Sequence, residues 1–249
     1  MIASVNLCSQ WLFTTGLTRT LRYSFVHPRA IAHRALYRAL VRLAPAAHGT
    51  LLDVGCGSRP YAALFAPYVT RHIGVDVPTS MHSNTAVDVM GTALRLPLQS
   101  GSCNTVLATE VMEHVSDPRG MLMEIRRVLA PGGVLILSVP LHEPLHELPY
   151  DYYRYTDVAL RHLLTEQGFL IERIERRGGP IAVVTYLFCA FLYRAYGADG
   201  YPARMRMRPL AGPPVVALCA ILQMIAAGLD PLILDDFDTL GFVVLARKA

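Results

Sequence analysis

Apolar residues along this chain alternate between short continuous runs and helical repeats. Residues 29–43 place Ile31, Ala35, Leu36, Leu40, Val41 and Leu43 at helical spacing, with Arg34, Arg38 and Arg42 on another face. That pattern predicts an amphipathic helix. Short apolar runs bounded by acids, glycines and prolines predict strands at 51–54, 72–76, 85–89, 103–109, 134–139, 169–174 and 240–246. Helices are predicted at 60–65, at 117–129 with Ser116 as its cap, and at 156–166, stopping at Gly168. Gly132-Gly133 is expected to end the second of these and start the next strand. Strands alternating with helices of this length predict an α/β fold with a doubly wound, mostly parallel seven-stranded sheet. Residues 1–28 mix apolar side chains with Thr and Arg, as a helical cap would.

About 60 residues between the last two strands exceed what such a sheet needs. Residues 181–193 and 213–229 are apolar and uncharged, with Gln223 the polar residue of the second run, while 194–208 is basic. Each run falls short of the roughly 20 apolar residues that span a bilayer. The expected organisation is an N-terminal helical cap (1–47), a sheet domain (48–178 plus 236–249) and a hydrophobic helical insertion (179–235). The insertion would serve as a cap over the site, a homodimer face, or a patch lying in a membrane interface.

The hydrophobic fraction of 53% is high for a soluble chain of 249 residues, and the excess sits in that insertion. The net charge of +4 is mild and dispersed, so no basic groove points to nucleic acid. Cys8, Cys56, Cys103, Cys189 and Cys219 are odd in number and widely spaced. They read as reduced core residues, neither a disulfide framework nor a zinc site. No charged segment precedes the first apolar residues, so a cleaved secretory signal is not expected. The expected location is cytoplasmic, with membrane association left open by the insertion.

The chemistry concentrates at Leu51-Leu52-Asp53-Val54-Gly55-Cys56-Gly57-Ser58. An apolar strand runs into an acid and two glycines, which let backbone approach a ligand at the carboxyl edge of the sheet. A dinucleotide cradle would place a third glycine where Pro60 stands, which weakens a nicotinamide reading. Asp76 ends the next strand, where an acid can take both hydroxyls of a ribose. Cys56, between the glycines, reads as a small filler.

Together, Leu52-Asp53-x-Gly55-x-Gly57, Asp76, Asp88, Glu110-Val111-Met112-Glu113-His114-Val115 and Leu129-Ala130-Pro131-Gly132-Gly133-Val134-Leu135 resemble the class I S-adenosylmethionine-dependent methyltransferases. The small-molecule branch that includes quinone-biosynthesis enzymes is the nearest in flavour. The resemblance covers about residues 48–175 and a final strand near 241–248, and implies a Rossmann-like sheet with S-adenosylmethionine as cofactor. It places Asp53, Gly55, Cys56 and Gly57 along the methionine moiety and Asp76 with Val77 at the ribose. Asp88, Val89 and Met90 would meet the adenine, and Thr109 and Glu110 would border the amino-acid end; His114, more often structural than catalytic in such proteins, is a further cofactor-side candidate. Ser58, Arg59 and Tyr61 are looser candidates for its carboxylate.

A sulfonium methyl is already activated, so the protein mainly aligns a nucleophile and excludes water. A base is needed only where the acceptor must lose a proton. The loop after the fifth strand offers His142, Glu143, His146, Asp151, Tyr152, Tyr153 and Arg154. His146, His142 and Tyr153 are the catalytic candidates, His146 foremost, while Asp151 with Arg154 reads as an ion pair. The run 146–156 resembles an H-x-x-P-x-D-Y-Y-R-Y-T segment of a bacterial subset of these enzymes. His142-Glu143-Pro144-Leu145-His146 matches H-E-x-x-H in letters. Pro144 inside it and prolines on either side deny it the continuous helix a zinc protease needs, so no metal ligand is assigned. The expected function is methyl transfer, O-methylation favoured, to a small hydrophobic or lipid-linked acceptor. The alternatives are a non-catalytic assembly or membrane-docking partner and a nicotinamide oxidoreductase.

Overall fold

The apolar runs pair into one seven-stranded sheet of order β3-β2-β1-β4-β5-β7-β6. Its strands are β1 (Thr50–Val54), β2 (Arg71–Asp76), β3 (Val89–Met90), β4 (Cys103–Thr109), β5 (Leu129–Pro140), β6 (Phe169–Arg176) and β7 (Gly241–Lys248). β1 through β5 run parallel, whereas β7 lies antiparallel between β5 and β6. The computed structural model describes residues 23–78, 84–196, 212–233 and 237–249. Most of the cap expected over residues 1–28 lies outside them. The chain divides into two units, Arg38–Arg177 with Gly241–Ala249, and the residues up to Tyr37 with Gly178–Leu240.

In the sheet unit, α1 (Ala30–Leu43), which begins in the other unit, leads to β1, and a single turn, α2 (Ala62–Phe65), follows the glycine turn. α3 (Pro118–Val128) joins β4 to β5, and α4 (Asp157–Glu166) precedes β6. α3 buries Met121, Leu122, Ile125 and Val128, an i, i+1, i+4, i+7 stripe, against Val106, Leu135 and Leu137 of the sheet. Pro118 sits in its first turn, so the cap is Asp117, whose carboxylate accepts from the Gly120 N–H at 3.0 Å. Ser116, one residue too early, does not fill that place.

Two further expectations are corrected. The helix ends at Val128, ahead of Gly132-Gly133, because Leu129 already adopts extended backbone and opens β5. The glycines instead lie in a bulge of β5. Cys103 pairs with Leu129 but Thr105 pairs with Val134, and Gly132 turns at φ +70° between them. The strand expected at 85–89 is only Val89–Met90, preceded by a 3-10 turn over Asn84–Ala86. Asp88 competes with the ladder there, since its carboxylate takes the Gly74 N–H while its own N–H goes to the Gly74 carbonyl.

The second unit holds α5 (Pro180–Tyr196) and α6 (Gly212–Leu229). Asp230, just past α6, caps α5 by accepting from Gly179 N at 2.7 Å and Ala182 N at 2.8 Å. Gln223, polar on an apolar helix, is fully buried. It accepts from Ile31 N and donates to the carbonyls of Phe25 and His27, joining α6 to the start of α1. Cys189 and Cys219 are buried between α5 and α6 with Tyr193. The outward faces carry Val184, Phe188, Phe191, Ile221, Met224 and Ile225 in exposed positions. The stretch Pro213–Leu232 is long and apolar enough to cross a membrane by length and composition, and only 17% of it is buried.

Candidate active site

At the carboxyl edge of the sheet, β1 runs into the glycine turn and β2 into Asp76. Gly55 and Gly57 both adopt positive φ, +66° and +46°, which glycine reaches without a Cβ penalty. A Cβ on Gly55 would meet Val111 Cγ2 at 2.4 Å. The turn is tied across to β2, with Gly55 N and Cys56 N donating to the Val75 carbonyl and Gly57 N to Asp76 Oδ2 at 2.7 Å. Asp76 Oδ1 accepts from Val77 N, also at 2.7 Å. The turn's donors are thus closed internally, and what it offers a ligand is bare backbone rather than an anion nest.

A carboxylate has about four acceptor directions. Asp76 uses two on backbone N–H groups, so its remaining acceptor directions fit two vicinal hydroxyls of a ribose. Asp53 is buried and turned into the sheet, 3.1 Å from His72 Nε2. Burial pushes its carboxyl up, opposed by the hydrogen bond to His72. Cys56 is also buried, and burial reinforced by the Asp53 charge raises its thiol to about 11. It is a filler with no thiolate to offer at neutral pH. Asp88 is half exposed, pairs with Arg59 and takes the Gly74 N–H, which together hold its carboxyl below the usual range.

The loop after β4 makes a 3-10 turn over Met112–His114. Glu110 enters it at φ +55°, accepting from Ser138 Oγ at 2.8 Å and pairing with the buried Arg177 at 2.7 Å. Among the described residues, the non-glycine residues at positive φ are Arg59, Glu110 and Glu147. They lie on the loops after β1, β4 and β5, the edge where this fold binds ligands.

The loop after β5 is laced onto that turn. Tyr152 N and Tyr153 N donate to the Glu113 carbonyl, Tyr155 Oη to the Met112 carbonyl, and Tyr153 Oη to the Ser116 carbonyl. Arg154 forks onto both oxygens of Asp151 at 2.6 and 2.8 Å and also donates to the Glu143 carbonyl. Residues 142–146 form no helix. The lacing brings His146, buried, against His114, with ring centroids 4.7 Å apart and nearly perpendicular.

Residues 28–178 match the family model of a methyltransferase domain. This chain belongs to the methyltransferase-domain family. An uncharacterized methyltransferase of Mycobacterium sp. (strain KMS) is 33% identical over 141 residues, 54% of this chain and 56% of that protein. A probable S-adenosylmethionine-dependent methyltransferase of Mycolicibacterium smegmatis is 31% identical over 152 residues, 56% of this chain and 58% of that one. The chain thus spans a little over half the length of these relatives. Among solved structures, the [4+2]-cyclase SpnF shares the fold at a TM-score of 0.54 and 20% identity, over 86% of this chain and 81% of that one. An S-adenosylmethionine-dependent methyltransferase from Mesorhizobium loti does so at 0.53 and 15%, over 88% of this chain and all of that one.

Within this methyltransferase domain, the residues expected around the cofactor fall on or just after four neighbouring strands, β3, β2, β1 and β4. Asp53 lies in β1 and Gly55, Cys56 and Gly57 follow it, Asp76 ends β2 with Val77 next, Asp88 precedes Val89 and Met90 of β3, and Thr109 ends β4 with Glu110 and His114 after it. The acceptor-side candidates separate. Tyr153 gives its hydroxyl to a backbone carbonyl, His146 is drawn into a buried cluster, and His142 stays half-buried. Sequence reasoning gave no role to Glu113, Ser138 or Arg177. Glu113 stood inside a quoted motif, but nothing in the letters says that its side chain turns inward. Arg177 follows β6, far along the chain from its partner Glu110.

Proposed function

We propose that this protein is an S-adenosylmethionine-dependent methyltransferase acting on a small hydrophobic or lipid-linked acceptor, with oxygen as the favoured methylated atom. The observation that carries the reading is Asp76, an acid at the end of β2 that also closes the glycine turn through Gly57 N. Its remaining acceptor directions suit the ribose hydroxyls. The internally closed turn N–H groups suit a ligand without a pyrophosphate, which favours S-adenosylmethionine over NAD. When bound, that cofactor supplies a methyl group already activated by its sulfonium. The chain's own work is to hold the ribose at Asp76, leave room at Gly55 and Gly57, and border the amino-acid end with Thr109 and Glu110. The loop 140–155 supplies the acceptor side. The exposed apolar faces of α5 and α6 support the hydrophobic acceptor, and the same surface supports contact with a membrane interface.

Calorimetric titration tests the cofactor. S-adenosylmethionine is expected to bind in the micromolar range and NAD not at all. Asp76→Ala removes two hydrogen bonds to a charged group, each worth about 1.5–3 kcal/mol, so affinity should fall by about a hundredfold or more. Unchanged affinity in a folded variant would sink the assignment. The fold also carries a cyclase, so turnover is read as labelled methyl transferred to extracted lipids and quinones.

A further inference from the structure

We propose that Glu113, His114 and His146 form a binding site for one divalent first-row transition cation. Each offers one ligand atom, and the three atoms lie within 4.8 Å of one another. Glu113 supplies a second, independent observation. Its side chain is fully buried, yet neither carboxylate oxygen has a hydrogen-bond partner. A buried acceptor left in that state is costly, and His114 Nε2 stands 3.8 Å from Glu113 Oε1, too far for a hydrogen bond.

The two rings are oriented as ligands are. His114 Nδ1 lies 3.1 Å from the Tyr150 carbonyl and His146 Nδ1 lies 3.1 Å from the Pro144 carbonyl. A carbonyl only accepts, so each Nδ1 carries the proton and each Nε2 carries the lone pair. Backbone carbonyls that fix a tautomer in this way are the usual support of metal-ligating histidines. Burial pushes the Glu113 carboxyl well above the ordinary range, and the Glu110 charge pushes the same way.

Two imidazoles and one carboxylate favour zinc, iron, cobalt or manganese over magnesium or calcium. Ligands of one cation lie within about 4.4 Å, twice a bond of about 2.2 Å, so atoms up to 4.8 Å apart draw in by about 0.4 Å or more on binding. Three protein ligands leave a position open, the pattern of a catalytic rather than a structural site. An acceptor hydroxyl taken there loses its proton more readily. That use rests on the methyl-transfer reading, while the cation site does not. As a ligand, His146 is no longer a lone base, and the site is not the H-E-x-x-H pair, since it omits His142 and Glu143.

The test is calorimetry on tag-free, chelator-treated protein with Zn²⁺, Mn²⁺ and Mg²⁺ separately, alongside S-adenosylmethionine. One equivalent of Zn²⁺ or Mn²⁺ is expected to bind more tightly than Mg²⁺. His114→Ala and His146→Ala should each weaken it at least tenfold, with S-adenosylmethionine affinity kept in His146→Ala. If a variant fails to fold, Mn²⁺ added to the intact protein should broaden the imidazole NMR signals of His114 and His146 selectively. No stoichiometric cation binding, equal affinity in folded variants, or broadening elsewhere overturns the site. Cation binding without S-adenosylmethionine binding would sink the methyltransferase reading alone, and the reverse would sink the cation site alone.

Discussion

Gly55 shows how much one residue constrains the site. At φ +66°, and with Val111 where a Cβ would stand, Gly55→Ala combines backbone strain of about 1–3 kcal/mol with a clash. A lowered melting temperature and lost S-adenosylmethionine binding are expected, measured by thermal denaturation and titration. Asp88 makes a prediction about pH. Its folded pKa is depressed by the Gly74 N–H and the Arg59 charge, with His72 acting the same way. The stability it contributes is therefore present above its unfolded pKa of about 3.9 and is lost as pH falls through the folded value. Asp88→Asn should lower the melting temperature slightly at neutral pH, converge with the parent protein at acid pH, and so flatten the acid limb. An identical acid limb in the variant would remove Asp88 from that account.

At the scale of elements, ends matter more than middles. α5 and α6 are almost uniformly apolar, so composition alone says little about where they stop. Asp230 settles the start of α5 by taking the Gly179 N–H just before it and the Ala182 N–H of its first turn. Asp230→Ala should cost about 0.5–2 kcal/mol in chemical denaturation, with the S-adenosylmethionine site unaffected. A loss within error would show that water replaces the cap. The same logic explains what was legible. Strand β4 was readable to the residue because Cys103–Thr109 is rich in β-branched and apolar residues between turns, whereas β3 was not. An edge strand of two residues is defined by what Asp88 hydrogen-bonds, and that partner, Gly74, belongs to another strand. The cap of α3 moved from Ser116 to Asp117 for a local reason, the place of Pro118.

For the whole molecule, the open matter is what meets the outward faces of α5 and α6. Phe188 and Ile225 are each about half exposed, so Phe188→Asp with Ile225→Asp leaves the packing between the helices alone. The intact protein is expected to float with anionic lipid vesicles in a density gradient, and the double variant to stay behind. A protein that ignores vesicles but runs as a dimer, split by the same substitutions, would make the face a subunit interface.

The amino-acid sequence by itself determined the alternation of strands and helices, the glycine turn and its acids, and with them the family. Those features are local, since a period, a turn residue or an acid at a strand end acts through its immediate neighbours. Only the tertiary structure decided which polar groups are sequestered together. Glu110 meets Arg177, and Glu113 and His114 meet His146, across 67 and about 30 residues of chain. A chain folds such pairs together through packing of the segments between them, here the Tyr152–Tyr155 lacing onto the turn after β4. No spacing rule records that, because burial of a carboxylate is a property of everything packed around it.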